Sequence, residues 1–157
     1  MREFIVDTIA YLSPPHAVEG LETADAERTV EGTNHSIAEI VAHIDFWQRW
    51  FIDRCEGVNA PMVGTAAEGW PSVPQGAWPE VRARFLEALE RAAALGTSEA
   101  GLSAPLDPPI EFPPLAGYTV RDALVHVATH NAHHLGQVIV LRQMLGTWPP
   151  PAGSWTW

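Results

Sequence analysis

Apolar residues recur at intervals of three and four in several stretches of the chain, the spacing of helices that bury one face. The first stretch, from Arg2 to Leu12, sets Phe4, Ile5, Ile9 and Leu12 on such a pattern before Ser13-Pro14-Pro15 interrupts it. Proline has no N–H to donate and crowds the preceding turn, so this helix is expected to be short or bent. Pro14 itself suits the opening of a new turn after a Ser cap, which His16-Ala17-Val18-Glu19 would carry to Gly20. Thr23 to Thr33 is polar, with one helical turn expected at Asp25-Ala26-Glu27.

The second long pattern has a clear start. Ser36 followed by Glu39 is a capping box, in which each side chain satisfies a backbone N–H at the other position. The spacing predicts a helix from Ile37 with Ile40, Val41, Ile44, Trp47 and Phe51 on its buried stripe, ending at Gly57, which tolerates a left-handed backbone. His43 follows Ile40 by three and precedes Trp47 by four, so it faces the core side.

A third helix is expected from Pro79 through Val81, Phe85, Leu86, Leu89 and Ala93 to Gly96. A fourth begins at Thr119, with Asp122 completing a variant capping box, and runs through Leu124, Val127, Leu135, Val138, Leu141 and Leu145 to Gly146. The connections before the third and fourth helices, rich in proline, each hold about twenty residues. That is long for a bundle, and such loops can cross its end or fold over a site. No stretch alternates as a strand would and no internal repeat is present. The fold class predicted is all-α, a four-helix bundle with long inter-helix connections, occupying residues 1–157 as a single domain. The tail from Trp148 to Trp157 contains three prolines and three tryptophans and is expected to pack on the body or on a partner subunit.

Composition narrows the function classes. Hydrophobic residues make up 46% and charged residues 18% of the 157 residues, which describes a globular chain. No apolar run approaches the roughly 20 residues needed to cross a bilayer, and the first residues lack a secretory leader pattern, so a cytoplasmic protein without a membrane partner is expected. A net charge of -10 argues against nucleic acid as a partner. All nine basic residues are arginine, which removes Schiff-base chemistry and a phosphate-loop lysine. Cys55 is the single cysteine, so a metal would have to rest on histidine or carboxylate. Some 18 Å of helix separates Cys55 from His43, and an apolar packed thiol is the expected role.

That leaves the histidines. His126, His130, His133 and His134 fall within about 100° of one another around a helix. His130 and His134, one turn apart, can converge on one divalent ion, and His43 is the best third ligand because no other long helix carries a histidine beside its buried stripe. Three neutral imidazoles suit zinc or nickel, and also ferrous iron, and leave a position for a water, thiol or substrate. Hydrogen-bonded packing is the alternative role for each ring. His126 and His133 are expected to pack, support ligands or line the entrance, and His16 and His35 to be exposed. Glu87 and Glu90 read as a solvated helix face.

The phrases His35-Ser36-Ile37-Ala38-Glu39-Ile40-Val41-Ala42-His43-Ile44 and His130-Asn131-Ala132-His133-His134-Leu135-Gly136-Gln137, followed by Leu141-Arg142-Gln143 and Trp148-Pro149-Pro150, resemble the DinB/YfiT-like superfamily of damage-inducible proteins. The resemblance covers nearly the whole chain. It implies a four-helix bundle, often a homodimer, in which His43, His130 and His134 hold a divalent metal. Members include S-transferases and an isomerase that use low-molecular-weight thiols.

The leading functional expectation is therefore a metal-dependent enzyme of the thiol S-transferase or hydrolase class acting on a small molecule, with a water or thiol acidified at the metal. A zinc protease is disfavoured, since Asn131 stands where His-Glu-x-x-His needs its glutamate. The alternative is a non-catalytic metal-binding dimer serving in stress response or sensing.

Overall fold

Local capping signals start the two helices that carry the histidines. In the computed structural model, which describes residues 1–8 and 10–154, Ser36 Oγ accepts from the Glu39 N–H at 3.2 Å while Glu39 Oε2 accepts from the Ser36 N–H at 2.8 Å. The Thr119 and Asp122 pair repeats the arrangement at 2.9 and 3.3 Å. Each box satisfies backbone donors that a helix start otherwise leaves without partners.

In chain order the helices are α1 (Arg2–Ile5), α2 (Pro14–Ala17), α3 (Thr23–Ala26), α4 (Ile37–Cys55), α5 (Trp78–Leu95), α6 (Glu99–Leu102) and α7 (Val120–Leu145), with 3-10 turns at Ala66–Gly69 and Pro113–Leu115. Among the described residues there is no strand, only an isolated bridge between Pro105 and Thr119. The all-α class is observed, built on three long helices. α4 lies against both α5 and α7, and α1 packs on α5 and α7. Ile37, Ile44, Phe85, Leu89, Leu124 and Leu135 are fully buried between the long helices. Each such side chain contributes about 1.5–3 kcal/mol by leaving water.

The N-terminal helix is short, as expected. α1 stops at Ile5, and the Ala10 N–H is taken by Thr8 Oγ1 at 3.2 Å. A short side chain that bonds nearby backbone offers the chain an alternative to helix. Ile5 and Leu12 still reach the core, each 1% exposed; Ile9 lies outside the described residues. α5 starts one residue earlier than expected, with Pro79 second. It has no side-chain cap of its own. Instead Glu27, just after α3, accepts from the Gly76 and Trp78 N–H groups at 2.9 and 3.0 Å.

Past α7, which ends on Gly146 in the left-handed region at φ 74°, the chain folds back on the body. The Ala152 N–H donates to Glu19 at 3.1 Å, and Pro150 is buried. Trp148 is partly buried against the core, whereas Trp155 and Trp157 lie outside the described residues. Arg142 ties this corner together. It is 1% exposed and donates to the carbonyls of Ala17 and Glu19, both at 2.9 Å, and of Thr147 at 2.9 and 3.2 Å. No helix among the described residues is long and apolar enough to cross a membrane.

Candidate metal centre

α4 and α7 meet along a mostly apolar seam, and the polar groups buried in it gather at one level. His43 comes from α4, and His130 and His134 come from successive turns of α7. One ring nitrogen from each of the three lies within 4.8 Å of the others. The ring centroids of His43 and His134, and of His130 and His134, are 4.6 Å apart, and those of His43 and His130 are 5.1 Å apart. The three residues expected from the spacing are thus brought together.

Their ring orientations are set by neighbours. His43 Nδ1 sits 2.6 Å from the Gly69 carbonyl, which can only accept, so Nδ1 carries the proton and Nε2 keeps its lone pair. His134 Nδ1 likewise donates to Gln137 Oε1 at 2.8 Å. Such partners fix the tautomer and aim of a metal-binding imidazole. His130 has no hydrogen bond within the chain among the described residues. Burial is the main cause that lowers the pKa of all three rings. For His130, burial and then the neighbouring His134, His43, His126 and His133 pull it down to about 3. The Gly69 carbonyl partly opposes the effect of burial on His43, and Gln137 does so on His134. At neutral pH the rings are uncharged and present lone pairs to one another.

The donor set fits a divalent ion. Three neutral nitrogens, two of them on rings whose Nδ1–H groups are tied back, could hold a divalent metal, and bonds of about 2.1 Å place two nitrogens at most about 4.2 Å apart, a small side-chain closure from the observed span. Asp45, the buried carboxylate of α4, is paired with Arg49 at 2.7 Å and Arg84 at 3.1 Å and takes no part.

Several supporting residues escape a reading by helix period. Trp70, from the first long loop, is layered between two imidazoles, 3.8 Å from His43 and 3.9 Å from His35, with interplanar angles of 11° and 10°. His35 is therefore half-buried in this stack rather than exposed, because a distant indole covers it. Gly69 must be small: a Cβ there would come within 2.7 Å of the Trp47 ring nitrogen. Loop sequence carries little trace of this arrangement beyond a lone Gly-Trp. Beneath the triad, Asn131 donates to Gln48 Oε1 at 2.7 Å and Gln48 donates to the Phe85 carbonyl at 3.2 Å. This buried amide chain fixes how α7 lies along α4.

The remaining candidates fall around the centre. His126 is half-buried, hydrogen-bonded to the Tyr118 hydroxyl at 3.2 Å and packed on Phe51 with centroids 4.6 Å apart. His133 is exposed, its ring edge against His134 at 4.9 Å. His16 is exposed, as expected. Burial pushes the Cys55 thiol up to about 12, which keeps it protonated. Glu87 and Glu90 are exposed but engaged, with Arg49 at 2.9 Å and Arg2 at 2.5 Å.

A family model described as the DinB superfamily matches residues 15–138, a span that contains all three histidines. No curated protein and no solved structure matches the chain.

Proposed function

The chain belongs to the DinB superfamily, and from that premise we propose that it is a divalent-metal-dependent enzyme of the thiol S-transferase or hydrolase class. One observation carries the reading: three neutral imidazoles converge at the edge of a cavity that His130 itself lines. A purely structural histidine cluster has no need of an opening onto its ligand nitrogens, whereas a reactive site must admit a second molecule.

His43, His130 and His134 would hold the ion, zinc or nickel being the best match and ferrous iron compatible. Bound there, the ion supplies Lewis acidity that lowers the pKa of a water or thiol reaching it. The rest falls to the protein. Gly69 and Gln137 hold two of the imidazoles in their ligating tautomer. The Trp70 indole covers one face of His43 and limits water on that side. His126 faces the cavity, and burial lowers its pKa, so it is neutral at neutral pH. With Nδ1–H donating to the Tyr118 oxygen, its Nε2 would carry the lone pair that accepts a proton from an incoming thiol or water.

The test has two stages. Protein purified without chelators should carry close to one divalent ion per chain by elemental analysis, and His130→Ala should carry none. The metal-loaded chain is then incubated with electrophiles plus several low-molecular-weight thiols, and with simple esters and amides. Turnover that disappears in His43→Ala supports the enzyme; no turnover above that control across the panel favours a non-catalytic metal-binding sensor. A natively purified chain without metal overturns both readings.

A further inference from the structure

His130 stands between two openings of opposite character. On one side a cavity of about 210 Å³ lies between α4 and α7, walled by Trp47, Phe51, Met62, Phe112 and Leu115. On the other a wider groove of about 540 Å³ carries Arg121, Asp122 and His133. His126 and His130 border both. The two long loops roof the cavity: Met62 comes from the first, Phe112 and Leu115 from the second.

No arginine, aspartate or glutamate lines the cavity. Its one amide, Gln48, has its carbonyl and its NH₂ engaged by Asn131 and Phe85, and the His126 Nδ1 is paired with Tyr118. A charged group entering would shed its hydration and find no counter-ion, which is costly in an apolar enclosure. An uncharged ring loses nothing comparable. It would meet the faces and edges of Trp47, Phe51 and Phe112 and the polarisable sulfur of Met62, all favourable partners for an aromatic group. Size agrees as well: an apolar cavity of about 150 Å³ accommodates benzene, so about 210 Å³ has room for one substituted ring.

We propose that this cavity is the binding site for an uncharged, single-ring aromatic portion of the substrate, held so that its reactive substituent lies beside His130. The polar reactant then approaches from the groove on the Arg121 side. Naming the occupant a substrate rests on the metal-enzyme reading above; the cavity's selectivity does not.

The full chain, with and without zinc, is titrated with benzyl alcohol and with benzoate and followed by NMR. The metal-free arm decides the charge preference, because there the carboxylate has no ion to bind. Benzyl alcohol should bind saturably and benzoate about tenfold more weakly or worse, the cost of desolvating an unpaired charge. Met62→Trp, which fills the cavity, should abolish binding of the alcohol. Phe112→Arg, at an exposed position on the rim, should fold normally and raise benzoate affinity at least severalfold. Equal or tighter binding of benzoate to the unaltered metal-free chain overturns the proposal, as does absence of saturable binding of the alcohol, or binding that survives Met62→Trp. Divalent-metal content of the natively purified chain separates the two ideas: metal without ring binding defeats the cavity assignment alone, and ring binding by a chain that carries no divalent metal defeats the enzyme reading alone.

Discussion

Two buried polar clusters stand about two helical turns apart on α7, and they are built on opposite principles. At Arg142 the guanidinium is surrounded by carbonyls of Ala17, Glu19 and Thr147, and its donors point at acceptors that belong to the same chain. At His134 and His130 the ring nitrogens converge with one of His43; Nε2 of His43 and of His134 can only accept, since their Nδ1 protons are engaged by Gly69 and Gln137. The first cluster is closed and needs nothing from outside. The second is open, because the lone pairs of His43 and His134 converge with a ring of His130 that has no hydrogen bond within the chain among the described residues. A buried polar group whose capacity is filled internally stabilises the fold, and one left with converging, unfilled capacity points to a ligand.

The contrast can be broken most directly through stability. Arg142→Met strands three carbonyls and should cost roughly 3 kcal/mol at about 1 kcal/mol each, measured by urea unfolding of the metal-free chain. His130→Ala should change the same quantity by no more than about 1 kcal/mol, since its ring has no internal hydrogen bond to lose. Equal losses in the two variants would erase the distinction between a closed and an open cluster.

A smaller effect sharpens the open side. Gln137→Leu leaves the His134 ring in place but removes the acceptor that orients it, and metal affinity should fall about 10- to 100-fold with unfolding unchanged. Competition against a chelator of known affinity measures this. Unchanged affinity would mean that the side chain at 137 does not set the imidazole.

Acid provides a further handle. Burial holds His130 well below the 6.5 of an unfolded histidine, at about 3. Above pH 6.5 both states are neutral there and stability is flat. As pH falls from 6.5 toward 3 the unfolded chain takes up a proton that the folded chain refuses, so the metal-free fold loses stability. With solvent screening of a partly exposed ring, a loss of about 1 kcal/mol between pH 7 and pH 5 is expected. His130→Ala should make that slope shallower, His43, His126 and His134 supplying the remainder, while Arg142→Met leaves it, which pH-dependent unfolding would reveal. The smallest effect is expected at His16, whose exposed side chain takes no part in either cluster, where alanine should change neither stability nor metal content by a measurable amount.

Much of this molecule is written in short-range signals. Ser36 with Glu39 and Thr119 with Asp122 mark the starts of α4 and α7, Gly57 and Gly146 their ends, and the 3.6-residue period assigns the buried faces. These depend on residues three or four apart, so they survive in any local window. The α7 half-site is legible for the same reason, as His130 and His134 are one turn apart, and the inventory of lysine and cysteine excludes other chemistries outright. At the N-terminus the period marks Ile5 and Leu12 as buried, and both are, although α1 itself ends at Ile5.

Tertiary structure alone decided the rest. That His43 meets the α7 pair depends on how two helices cross, and this is set by Asn131 and Gln48, 83 residues apart. The tautomer of His43 depends on a carbonyl 26 residues away in a loop with no period, and its cover depends on Trp70 fitting between two imidazoles. The cavity beside His130 exists only because Met62, Phe112 and Leu115 arrive from separate loops. Local sequence determines where helices begin and which way they face, since backbone hydrogen bonds and side-chain periodicity act within a turn. Packing across the chain determines what those faces enclose.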